Sequence, residues 1–362
     1  MFCGSSLRWA LATLLVTMVA QPEPQLSVDA RGSLYQDSDA TTINTNIVSA
    51  TVTPVHELSV RGYYLADIIS SASVDVVSAA TERWDETRHE VGLSPTYDDD
   101  TRAVSLGYRY STENDWSSHS GSVGLSHDFF SHDMELSIGA AYTANTVGRA
   151  DDANFQRDLG VWTFATDAVV TASKNDLIAV GYSLSYGDGY QASPYRFVQF
   201  RGGTQASLLL AQPEIVPDLR VRHAVTLRYN RHLFRDTALR SFLRGYTDDW
   251  GVRSVTLGTE YVVGFGEFDV GLGVRGYRQE HATFYQDVYP NARRYMTADR
   301  ELSTFWDVFG TGRLSWRHAM TGFFQQLRAE AKATAFYFRF ENFARLPERD
   351  GIIAELALGG AF

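Results

Sequence analysis

The stretch GIIAELALGGAF, residues 351–362, alternates along almost its whole length. One register holds Ile352, Ala354, Leu356, Leu358, Gly360 and Phe362, and the other holds Glu355, Ala357, Gly359 and Ala361. A period of two marks a β-strand with one apolar face. Soluble domains usually finish in a polar, frayed tail, whereas this strand carries its apolar register through to an aromatic residue. A strand that must pair along its full length inside a lipid phase has that form, because unpaired backbone groups there cost several kcal/mol each.

The same alternation recurs through the chain. Among the clearest cases are Leu26, Val28, Ala30 and Leu34; Val104, Leu106, Tyr108 and Tyr110; Met134, Leu136, Ile138, Ala140 and Tyr142; Ile178, Val180, Tyr182, Leu184 and Tyr186; and Phe268, Val270, Leu272 and Val274. About sixteen such segments can be written out, within a range of roughly 14–18. Their connections alternate in length. Short ones fall at 54–57, 98–101, 130–133, 173–176, 234–237, 264–267 and 317–322. Longer ones fall at 68–85, 146–161, 187–218, 281–301 and 340–351, with shorter members of the same set at 37–43, 112–116 and 247–250. From a periplasmic start every short turn lies on the periplasmic side and every long loop outside. The expected fold is therefore all-β, a transmembrane antiparallel up-and-down β-barrel; a soluble sandwich gives no reason for loops to sort this way. Tyr97, Tyr110, Phe129, Tyr142, Trp162, Tyr186, Trp316 and Phe362 stand near strand ends, where aromatic girdles sit.

At 362 residues the chain suits a single barrel domain, expected over 26–362. Residues 1–20, with Arg8 ahead of an apolar run from Trp9 to Ala20, have the form of a secretory signal, followed by a short segment at 21–25. The sole cysteine, Cys3, would leave with the signal, so no disulfide framework or thiolate metal site is expected. A net charge of −11 argues against a nucleic-acid partner. Positive charge is nearly all arginine, Lys174 and Lys332 being the only lysines.

The second register of the strands is polar and charged, and charges of both signs must face water or one another rather than lipid. A basic group, Arg220, Arg222, Arg228, Arg240 and Arg244, falls on the tenth and eleventh segments, while Glu86 and Glu90 fall on the fourth. Sixteen strands enclose room for an aqueous channel. Two arrangements stay open: a transverse field that selects solutes, or a network of pairs that fills the lumen. The corresponding functions are a pore for small polar solutes, anions among them, or a plugged barrel anchoring an envelope assembly whose outer loops bind a protein or polysaccharide. No Ser, His and carboxylate can be placed together, so no enzyme is expected. The histidines show no metal-ligand spacing, Asp98, Asp99 and Asp100 suit a solvated turn, and neither a metal nor another cofactor is called for.

Six unusual stretches resemble a group of bacterial outer-membrane-type proteins catalogued as domain of unknown function 3570. They are VDVVSAATERWDETR (74–88), YSTENDWSSHS (110–120), PYRFVQF (194–200), RGYTDDWGVRS (244–254), VRGYRQEHATFY (274–285) and TADRELS (297–303). The resemblance implies a barrel and supplies no activity. All six fall at the outer ends of segments or in outer loops, which directs attention to the external mouth: Asp75, Glu82, Asp85, Arg88, Trp116, Asp248, Asp249, Trp250, Tyr277, Asp299, Arg300 and Glu301. These either serve function there or pair to cap the barrel. Phe362 is the expected signal for the outer-membrane insertion machinery.

Overall fold

A computed structural model describes residues 25–71, 84–201, 209–322 and 324–362. In chain order its strands are β1 (Gln25–Asp37), β2 (Thr41–Val55), β3 (Leu58–Ser71), β4 (Trp84–Asp98), β5 (Arg102–Thr112), β6 (Trp116–Phe129), β7 (Met134–Val147), β8 (Arg157–Ser173), β9 (Asp176–Gly189), β10 (Phe197–Arg201), β11 (Leu209–Pro213), β12 (Leu219–His232), β13 (Thr237–Asp248), β14 (Arg253–Phe265), β15 (Phe268–Glu280), β16 (Val288–Tyr289), β17 (Phe305–Ala319), β18 (Gln326–Phe340) and β19 (Glu348–Ala361). Sixteen of them form one closed antiparallel barrel; β10, β11 and β16 make a separate small sheet. The N-terminal segments expected at 1–20 and 21–24 lie outside the described residues, as do Asp75 and Glu82.

Closure is made by β1, which pairs with β2 on one side and with β19 on the other, from Ser27 opposite Ala361 to Asp37 opposite Gly351. The Phe362 amide continues this ladder by donating to the Leu26 carbonyl at 2.8 Å. The barrel thus presents no open edge, as lipid requires. The alternation read from 351–362 has its physical meaning here: Ile352, Leu356 and Leu358 are exposed, as are Val48, Leu106, Ile138, Val225, Leu257 and Leu272 round the rest of the wall. Large aliphatic residues exposed on every wall face are stable only against hydrocarbon.

Connections differ at the two ends. The turns at 56–57, 99–101, 130–133, 174–175, 233–236, 266–267 and 320–325 are short, whereas the other end carries 148–156, 190–218, 281–304 and 341–347. Gly266, with φ +61°, allows a two-residue turn from β14 to β15 that a side chain would strain.

The outer loops are not irregular throughout. The sequence patterning leaves 187–218 and 281–301 as loops, yet β10 pairs antiparallel with β11 and parallel with β16. Val198, Tyr289 and Met296 are buried together under this sheet. Beside it a second core collects Val216, Trp250, Val252, Ala282, Tyr285 and Leu302. Strands of five and two residues are too short to show a period. These loops form a cap with its own apolar core over the outer end.

Candidate functional site

Every charged residue expected on the inner register does alternate with the lipid-facing row, and the two basic segments are β12 and β13. Most inner charges meet partners on the next strand of the barrel or the one beyond it. Arg228 pairs with Asp167, Arg240 with Glu260 at 3.4 Å, Arg313 with Glu260 at 2.8 Å, and Lys332 with Glu355 at 2.6 Å. Arg328 meets Asp29 at 2.9 Å and Arg109 meets Glu90 at 3.7 Å. Glu90 also accepts from Tyr63 Oη at 2.7 Å. Gly92 permits that contact, since a β-carbon on it would lie 2.1 Å from the Tyr63 ring. Arg222 and Arg244 are held differently, by the Gln191 side chain at 3.5 Å and by the Tyr246 ring at 5.7 Å.

Exposure divides this wall by depth. The side chains of Arg228 and Arg240 keep 47% and 52% of their surface accessible. At the outer end Arg220 keeps 14% and its partner Asp248 none. Asp248 Oδ2 accepts from Arg220 Nε and Nη2 at 2.9 and 2.6 Å and from Tyr246 Oη at 2.8 Å, and Oδ1 accepts from the Val252 amide at 2.9 Å. The Arg220 guanidinium lies 4.2 Å from the Trp250 ring centroid, and Trp250 belongs to the larger cap core.

The expected mouth residues that are described make separate contacts on several elements. Asp249 Oδ1 accepts from the Val221 amide at 2.9 Å, and Trp116 Nε1 donates to Asn145 at 3.2 Å. Asp299 caps a short 3-10 turn and meets Arg196 at 2.9 Å. Arg300, in the same turn, reaches Asp39 between β1 and β2. Glu301 faces Arg349 at 3.7 Å. Arg88 pairs inside the wall with Asp67 at 2.5 Å. Asp85 is placed through its backbone, opposite Ser70.

Two inner features were not foreseen. Phe305, Phe309, Phe336, Phe338 and Phe340, with Tyr35, stack down the outer half of the inner wall. Arg275 lies over Phe309 at 4.1 Å and Arg349 over Phe338 at 4.4 Å. The pattern AFYFRF (335–340) holds the signal, because Phe336, Phe338 and Phe340 occupy the register that is otherwise polar. The other feature is a group of carboxylates, Glu86, Glu113 and Asp115. Tyr277, expected at the mouth, packs against this aromatic column with its ring 5.4 Å from Phe305.

A family model described as "Protein of unknown function (DUF3570)" matches residues 76–172 and 169–362. The chain belongs to that family. No curated protein matches it. Among solved structures, CdiB from Acinetobacter baumannii superposes with a TM-score of 0.51 at 9% identity, over 94% of this chain and 60% of that one. A bacterial polysaccharide outer membrane secretin gives 0.49 at 9% identity over 94% and 98%. Pseudomonas aeruginosa OccK2 (OpdF) in complex with glucuronate gives 0.43 at 10% identity over 94% and 98%. The chain spans only 53–60% of the CdiB and siderophore-receptor chains it resembles. This DUF3570 protein is an outer-membrane β-barrel of sixteen strands.

Proposed function

We propose that the barrel is a passive channel for small polar solutes, with a preference for anions, and that its outer mouth is narrowed by the cap. The observation that carries this is the gradient of exposure along the inner wall. Charges such as Arg228 and Arg240 have lipid behind them and about half their surface free, so they face water inside the barrel. An inner cavity of about 510 Å³ is lined by Arg228, Arg240, Arg244, Arg275, Lys332 and Glu260; Asp167, Asp307 and Glu355 pair with Arg228, Arg275 and Lys332, while Arg244 lies against the Tyr246 ring. Such a wall attracts an anion at little desolvation cost.

Planar-bilayer recording of the purified barrel tests this. The expected result is discrete single-channel conductance with a reversal potential in a salt gradient that favours anions. Neutralising Arg240 and Arg244 with Gln should lower that preference and leave the folded barrel intact, because both line this cavity, Glu260 keeps Arg313 at 2.8 Å, and lumen substitutions tune selectivity more than stability. A parent barrel without conductance would overturn the channel. It would favour the second reading, a membrane anchor presenting a binding surface, for which the independent apolar cores of the cap speak.

A further inference from the structure

Glu86 stands at the outer end of β4, and Glu113 and Asp115 flank the turn from β5 to β6. One carboxylate oxygen from each lies within 4.8 Å of the other two. Oxygens that share a calcium ion at 2.3–2.6 Å stand at most about 5 Å apart. Glu86 is 4% exposed, and its Oε1 is buried without any hydrogen-bond partner. The Asn114 amide donates to the same carboxylate, and Glu86 and Glu113 are in hydrogen-bond contact. A buried carboxylate oxygen with no donor is costly, and two adjoining carboxyl groups cannot both stay charged unless something positive lies between them.

Among the described residues, the Arg88 guanidinium does not fill that role. Arg88 is committed to Asp67 at 2.5 Å, although its field reaches Glu113. Asp115 is oriented by the cap, its carboxylate accepting from Tyr195 Oη.

We propose that Glu86, Glu113 and Asp115 form a binding site for a hard divalent cation of the calcium class at the outer mouth. All the donors are carboxylate oxygens, which suit such ions rather than softer metals. The site would join three parts. Glu86 belongs to the wall; the Asp115 carbonyl accepts from the Gly148 amide at 2.6 Å; and Tyr195, which also accepts from the Ala150 amide at 2.7 Å, comes from the segment that leads into the cap. An ion there would pin the cap to the wall.

The test uses the full-length barrel, purified in detergent and stripped with chelator. Terbium is the probe, sensitised by Trp116 and Tyr195 beside the ligands. The expected result is saturable terbium emission that millimolar calcium displaces, affinity lowered by about tenfold in Glu113→Gln and in Asp115→Asn, and a calcium-dependent rise in unfolding temperature that Glu113→Gln abolishes. If terbium emission does not saturate, or calcium up to a few millimolar fails to displace it, the site is overturned. That measurement needs only the unsubstituted protein and so survives failure of either variant to fold. Stabilisation by Glu113→Gln without any calcium response would equally overturn the ion, in favour of a proton shared between Glu86 and Glu113. Conductance plays no part in these readouts, so the channel and the cation site fail separately.

Discussion

Asp248 and Asp167 each pair with an inner-wall arginine, and burial makes their expected worth very different. Asp248 is fully enclosed and accepts four hydrogen bonds, two of them from Arg220. Asp248→Asn would leave Arg220 buried without a counter-charge, which costs about 3–5 kcal/mol. Asp167 keeps 35% of its surface and Arg228 keeps 47%, so Asp167→Asn should cost about 0–1 kcal/mol, as exposed pairs do. Thermal unfolding of the two variants checks the contrast, and equal losses would mean that the wall at Arg228 is as dry as the mouth. Period two alone placed Arg220 and Arg228 on the inner face, while Asp248 was marked only as a residue of the outer mouth, through the resemblance. The sequence could not tell the enclosed pair from the wet one, because that depends on loops far along the chain that come to lie over Asp248.

At the scale of elements, wall strands and cap strands differ in legibility for a physical reason. A wall strand of eleven to seventeen residues must present an apolar row to lipid over its whole crossing, and so it writes a long alternating pattern. The cap strands carry no such obligation; Val198, Tyr289 and Met296 merely meet each other. The grouping of Glu86 with Glu113 and Asp115 was equally hidden, since no spacing rule joins position 86 on β4 to the turn that follows β5. The cap also contains Glu214, buried, hydrogen-bonded to Thr297 at 3.0 Å and paired with Arg196 at 3.2 Å. Burial raises its carboxyl pKa in spite of Arg196. A carboxyl with a raised pKa binds its proton more tightly in the folded cap than in water. Its contribution is therefore present at acidic pH and lost as pH rises through the folded value. Protection factors at 209–216 and 285–297, taken after correction for the intrinsic pH dependence of amide exchange, should accordingly be higher at mildly acidic than at neutral pH, and Glu214→Gln should remove the difference. An unchanged difference in that variant would assign it to another group.

Across the whole molecule, the cap is fixed to the wall at two separate places on the mouth. On one side Trp250 bridges the β13–β14 turn and the cap core, donating to the Leu219 carbonyl at 2.8 Å. On the other, Arg300 reaches Asp39 at the β1–β2 turn, and Glu301 faces Arg349. The wall itself is closed by sixteen ladders and does not depend on these contacts. Arg300→Ala should therefore release one side of the cap and leave the barrel as resistant to heat and detergent as before. If the cap narrows a conducting path, release should raise the conductance or the open fraction seen in planar bilayers. Mobility should increase at 297–303 but not in β1 or β19, as hydrogen exchange would show. Increased exchange with no change in current would mean that the loop moves without obstructing any path, and the narrowing of the mouth would have to be assigned instead to the inner column of Phe305, Phe336, Phe338 and Phe340, which the substitution leaves in place.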